Sequence, residues 1–243
     1  MFSILLILAS AAHPSWQSAL PQGAVVIETA RVPSLLHQNR LLVLWMRDSH
    51  EDGREIERDE PYTCPDRTRG SRYISGEAAV SLVDISRQRI INTVHLDPPD
   101  DPYLDVPLRI RRGLYWTPAT GIEGKPVILR LRDLNGDGLD FEFPLYQEDS
   151  CSLIWGTLVG YSESHDQAVW YEVHLKVIEG AHVHYTLLHW IESLYQGGAK
   201  GSGRWSYTRA YPEEHPSQYV FDIRSDTELE RFEGTETIIS LEP

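Results

Sequence analysis

Asp133, Asn135 and Asp137 place an oxygen-bearing side chain at every second position, with Gly136 and Gly138 between and after them. Hard cations such as calcium are held by about six to eight oxygens at roughly 2.3–2.6 Å. A short loop supplies several of these only if alternate side chains turn inward, and that spacing is present. Gly138 stands where the chain must bend sharply, and glycine reaches positive φ without a Cβ clash. The run continues Leu139-Asp140-Phe141-Glu142. The Leu139 backbone carbonyl and the carboxylates of Asp140 and Glu142 are further candidate oxygens. The predicted metal site is therefore Asp133, Asn135, Asp137, Leu139, Asp140 and Glu142, holding a structural calcium ion. The competing reading is an ion-free hairpin turn, since Asn-Gly and Asp-Gly are strong turn signals.

The stretch Asp133–Glu142 resembles the first half of an EF-hand loop, and also the calcium loops of dockerin modules and integrin-type propeller blades. That resemblance implies calcium bound through Asp133, Asn135, Asp137 and the Leu139 carbonyl. It covers about ten residues and then departs from the pattern. The twelfth position, where an EF-hand has a bidentate Glu, is Pro144, and the eighth is Asp140. Proline also stops a helix from continuing through that point. The flanks read as strands instead: Val127–Leu131 before the loop, and Phe141, Phe143 and Leu145 on one apolar face after it. The prediction is a strand–loop–strand cation site.

Other residues invite chemistry more weakly. His182 and His184 share one face of a strand, with His174 across a short turn at Gly180. Three imidazoles brought together would suit zinc, which gives a zinc-dependent enzyme or hydrolase as one alternative. Gly160-Tyr161-Ser162-Glu163-Ser164 partly matches the nucleophile elbow but lacks its last glycine and any clear following helix. His165 and Asp166 are adjacent, so a strand would point them to opposite faces. The simpler reading is a polar strand end and turn. No carboxylate pair is singled out for glycoside hydrolysis. Seven Trp and twelve Tyr include Tyr115, Trp116, Trp170, Trp190 and Trp205, and a flat array of such rings stacks sugar faces. A carbohydrate- or small-ligand-binding β-module is the second alternative.

Composition bounds these options. The chain has 243 residues and a formal net charge of −14. Nucleic-acid binders need basic stripes, so the balance excludes nucleic acid as the expected partner and suits an exported protein that attracts cations. Phe2–Leu8 is a short apolar run followed by Ala9-Ser10-Ala11-Ala12, the pattern of a signal peptide over residues 1–12, although without a basic residue before it. The run is too short to span a bilayer. The expected location is extracytoplasmic, secreted or periplasmic. There Cys64 and Cys151, the two cysteines, would form one disulfide.

The elements that must position the loop are mostly strands. Leu41–Met46 is apolar on both faces and reads as a central strand covered on both sides. Val25–Thr29, Glu77–Ile85, Arg89–Leu96, Asp140–Tyr146, Leu153–Tyr161 and two strands around Trp205 and Val220 follow the same logic. Asp48–Gly70 and Asp97–Asp105 read as loops. Val169–Val177 alternates cleanly, with Val169, Tyr171, Val173, Leu175 and Val177 inward and Trp170, Glu172, His174 and Lys176 outward. Leu187, Leu188, Ile191, Leu194 and Tyr195 fall at helical spacing before Gly197-Gly198, which predicts one short helix near 185–195. The predicted fold is mainly β: an antiparallel sandwich or barrel-like domain over residues 20–243, with a subdomain boundary near 97–105.

Overall fold

The computed structural model describes residues 15–52, 72–98, 109–112, 114–115, 122–123, 128–148, 154–192, 203–211 and 215–240. The signal peptide predicted over 1–12, the cysteines Cys64 and Cys151, and Trp116 lie outside these residues. Among the described residues, sixteen strands and one 3-10 turn, Ser15–Ala19, make up the regular structure. The first sheet contains β1 (Val25–Arg31), β2 (Arg40–Asp52), β3 (Arg72–Asp84), β4 (Arg89–Leu96) and β5 (Arg109–Arg112). Two short strands, β6 (Leu114–Tyr115) and β7 (Ile122–Glu123), pair with each other. The second sheet contains β8 (Glu142–Glu148), β9 (Ile154–Ser162), β10 (Gln167–Trp170) and β13 (Ile191–Glu192). The third runs β12 (His182–Leu188), β11 (Val173–Glu179), β16 (Arg231–Ser240), β15 (His215–Asp226) and β14 (Arg204–Tyr211).

The three sheets stack around two cores, and strand alternation explains how. On β2, Leu42, Leu44 and Met46 pack toward the second sheet, while Val43 and Trp45 cover the opposite face with Trp16 and Val83. The double burial expected for this strand is what the structure contains. The second sheet is the middle layer. Phe143, Leu145, Val159 and Tyr161 face the first sheet, whereas Leu158 and Ile191 face Val173, Leu175, Val177, Ile223 and Phe232 of the third. Asn92 laces the first two sheets together: its amide donates to the Ala168 carbonyl and accepts from the Ala168 N–H, both at 2.9 Å.

Three expectations need correction. No α-helix occurs among the described residues; of the segment predicted as helical near 185–195, residues 185–188 belong to β12 and 191–192 to β13, and 193–195 lie outside the described residues. A two-residue turn, Gly180-Ala181, with Gly180 at φ +56°, folds β12 back on β11 in continuous register. Seven ladder positions and the alternation Val183, Tyr185, Leu187 override the helical spacing of the later leucines. The segment before the acidic loop is not a strand: over 128–132 only Arg132 bridges, to Glu142. Val169–Val177 is not one strand either. It breaks at Tyr171-Glu172, so β10 belongs to the middle sheet and β11 to the third. The mainly β, antiparallel architecture is otherwise as expected, with β11 and β16 the one parallel pairing among the described strands.

Candidate functional site

The acidic loop joins Arg132 to β8 at the edge of the second core. Its turns are built by its own side chains. Asp133 accepts from the Gly136 N–H at 2.7 Å and the Gly138 N–H at 3.1 Å. Asn135 Oδ1 accepts from the Asp137 N–H at 2.9 Å, and Asp137 Oδ1 from the Leu139 N–H at 2.7 Å. Short polar side chains that cap nearby N–H groups form such Asx turns readily. Gly136 and Gly138 take φ +83° and +88°, the positive values expected of glycine there. Asp140 Oδ1 accepts from the Asp133 N–H at 2.9 Å. The Leu139 carbonyl accepts from the Phe141 N–H at 3.0 Å.

The centre of the site is Glu142, whose side chain is wholly buried. Its Oε2 accepts from the Leu134 N–H at 3.0 Å. The Asn135 amide nitrogen donates toward Glu142 Oε1 at 3.3 Å, Asp137 Oδ2 at 3.0 Å and the Tyr171 hydroxyl at 3.4 Å. Two N–H bonds thus face three oxygens, and the Tyr171 hydroxyl in turn donates to Glu142 Oε1 at 3.4 Å. Burial pushes the Glu142 carboxyl up to about 8, and repulsion from Asp137 and Asp133 adds to the rise against the hydrogen bond from Leu134. A buried carboxylate needs compensation by hydrogen bonds or opposite charge. Here the Leu134 N–H, the Asn135 amide and the Tyr171 hydroxyl supply part of it, and among the described residues no basic side chain does.

The structure therefore gathers Asn135, Asp137 and Glu142 on one point. It turns Asp133 and Asp140 to backbone N–H groups. Among the described residues, no three His, Cys, Asp or Glu side chains are grouped closely enough to hold a metal ion unaided. Sequence reasoning missed Tyr171, whose alternation marked it as core but gave no hint that its hydroxyl reaches this centre. It also missed Gly203. At φ +60° this glycine lies against the Asn135 carbonyl, and a Cβ there would collide with it. Its own carbonyl accepts from the Ser225 N–H at 2.6 Å, so it ties the loop to the third sheet. Gly203→Ala is expected to cost about 1–3 kcal/mol by strain at a left-handed position, measured as a shift in the urea midpoint. An unchanged midpoint would show that the loop yields freely.

Other candidates come out differently. His174 lies opposite Leu187, whereas His184 lies opposite the inward-facing Val177 and His182 opposite Glu179. His174 and His184 thus point to opposite faces of the sheet, and the three imidazoles do not converge. Ser162, Ser164, His165 and Glu230 do meet, across two hairpin turns. Glu230 accepts from Ser162 at 2.6 Å and Ser164 at 2.8 Å. Both hydroxyls and the Glu230 carboxylate contact the same ring nitrogen of His165, Nδ1. A triad needs the carboxylate and the hydroxyl on different nitrogens, so this is a clasp between turns. It borders an acidic cleft of about 530 Å³ that also reaches Asn135 and Asp137. Trp190 and Trp205 are buried, and the half-buried Trp170 stacks on His189 with ring centroids 3.9 Å apart. None of these three presents an open ring face as a platform.

No known protein family matches the chain, and neither a curated protein nor a solved structure is similar to it.

Proposed function

We propose that this is an exported, β-rich, non-enzymatic protein whose 133–142 loop holds a structural calcium ion. The observation that carries the reading is the wholly buried carboxylate of Glu142, which is met by the Leu134 N–H, the Tyr171 hydroxyl and an Asn135 amide nitrogen shared with Asp137, with no cationic side chain on it among the described residues. A divalent cation at that point would supply the positive charge the pocket lacks. Asn135 would turn its amide oxygen inward, giving up the bond this oxygen accepts from the Asp137 N–H in exchange for the ion. Asp133, Asp140 and the Leu139 carbonyl are close along the chain and offer the remaining oxygens. The export reading rests on residues 1–12 and on the acidic charge balance.

Calorimetry tests the site. At calcium 100 times its dissociation constant, stability should rise by about 2.7 kcal/mol. For a chain of this size that corresponds to roughly 5–10 °C in Tm relative to chelator. Asp137→Ala should remove most of the rise. Identical melting in calcium and chelator would reject the ion and leave a hydrogen-bonded turn.

A further inference from the structure

The third sheet ends on one side in β12, which has no strand partner on its outer edge among the described residues. Its register with β11 fixes which backbone groups are used. Glu179 and His182 close the two-residue turn, and pairing continues without a bulge to Val173 and Leu188. In such a hairpin the closing pair is hydrogen-bonded and bonded pairs alternate along the ladder. The N–H and C=O groups of His182, His184, Thr186 and Leu188 therefore point to β11. Those of Val183, Tyr185 and Leu187 point outward.

The side chains of the same three residues are exposed: Tyr185 by 78%, Val183 by 50% and Leu187 by 49%. They lie on the sheet face opposite the core, beside Ile178, Lys176 and His174. An open, straight, apolar edge is a ready template for another strand, and proteins usually guard such edges with charge, proline or a bulge. The other edge of this sheet, β14, carries the exposed Arg204 and has a register shift near its end. Residues 182–188 contain no Asp, Glu, Lys, Arg or Pro. In a chain of net charge −14, this is a stretch where two copies can approach without carboxylates facing each other.

We propose that β12 pairs with β12 of a second copy of this chain, antiparallel about a twofold axis through Tyr185, making one continuous ten-stranded sheet. The register is self-complementary, as an isologous contact requires. Tyr185 faces Tyr185 of the second copy and exchanges both main-chain hydrogen bonds with it. Val183 faces Leu187 of the second copy, and Leu187 faces its Val183, so each cross-strand pair on that face is apolar.

The test is sedimentation equilibrium of the full chain at neutral pH, with hydrogen exchange of the β12 amides. The wild-type chain should form a dimer at micromolar concentration. The Val183, Tyr185 and Leu187 amides should become protected as concentration rises. The double variant V183K/L187K sets lysine opposite lysine twice and should weaken the dimer by on the order of tenfold or more. V183K/L187E sets lysine opposite glutamate twice and should return affinity to near the wild-type value. Both positions carry exposed side chains, and a wild-type-like circular dichroism spectrum confirms that each variant is folded. A wild-type chain that stays monomeric overturns the proposal. So does a dimer that the lysine pair leaves intact, or one to which the two double variants respond alike.

Discussion

Arg40→Met is expected to destabilise the protein by about 3–5 kcal/mol, the range for removing one partner of a buried ion pair. Arg40 opens β2. Its guanidinium donates to both oxygens of Asp166, at 2.7 and 2.6 Å, and lies 3.1 Å from Asp84. Asp84 ends β3, and Asp166 sits in the turn between β9 and β10, held there at φ +53°. One cation thus joins the first sheet to the middle one. Arg40 is only 11% exposed and Asp84 only 3%, while Asp166 is 28% exposed, so the methionine variant would strand one buried carboxylate and leave a second, partly solvated one without its cation. Arg40 holds the Asp166 carboxyl below its ordinary range by its hydrogen bonds, and the Tyr161 hydroxyl adds to this. Burial raises Asp84, but Ser86, the Arg87 N–H and the charge of Arg40 outweigh it and leave it lowered. A lowered carboxylate contributes stability above its unfolded value, which is lost as pH falls through the folded one. Urea unfolding should therefore show wild-type stability dropping in acid, and a flatter acid limb in Arg40→Met. Adding Asp84→Asn and Asp166→Asn to Arg40→Met should recover much of the loss. A neutral-pH difference under 1 kcal/mol would place the cluster with screened surface pairs.

That clamp shows where sequence legibility ends. The double burial of Leu41–Met46 was readable because six consecutive apolar residues leave a strand no solvent face. The glycines of the acidic loop were readable because their neighbours demand a turn. Tyr171, Val173, Leu175 and Val177 were correctly placed inward by period-two alternation. The same alternation concealed the break at Tyr171-Glu172, since a strand that leaves one sheet for the next keeps its side-chain period. Trp170 shows the consequence. Read as outward-facing, it packs against the first core beside Trp190, with ring centroids 6.4 Å apart. The parallel pairing of β11 with β16 and the Arg40 cluster join residues far apart in sequence, and local pattern carries no trace of them. The helical spacing of Leu187, Leu188 and Ile191 misled because propensity over so short a window is weaker than a closed hairpin ladder.

Burial of Glu142 was equally invisible, and it leads to the second large effect. In chelator, stability should fall as pH rises from about 5 to 8, opposite to the trend set by the Arg40 carboxylates. The folded carboxyl titrates at about 8, against 4.5 for the ordinary group. Between those values the folded chain holds a proton that the unfolded chain has released. More protons on the folded side make the slope of stability against pH negative. At about 1.4 kcal/mol per unit, the full window amounts to at most about 5 kcal/mol. Glu142→Gln should abolish the slope, because the amide is neutral throughout and its oxygen still accepts from the Leu134 N–H. Calcium should reverse the behaviour in the wild-type chain. The ion takes the ionised carboxylate, so binding expels the proton, and the gain from calcium grows with pH where the chelated protein weakens. The same buried oxygen then acts as a proton store without the ion and as a ligand with it. Urea midpoints for wild type and Glu142→Gln, each with calcium and with chelator, separate the two states. A flat profile in chelator, shared by both chains, would show that Glu142 is ionised without help, and the argument for a cation in that pocket would lose its electrostatic basis.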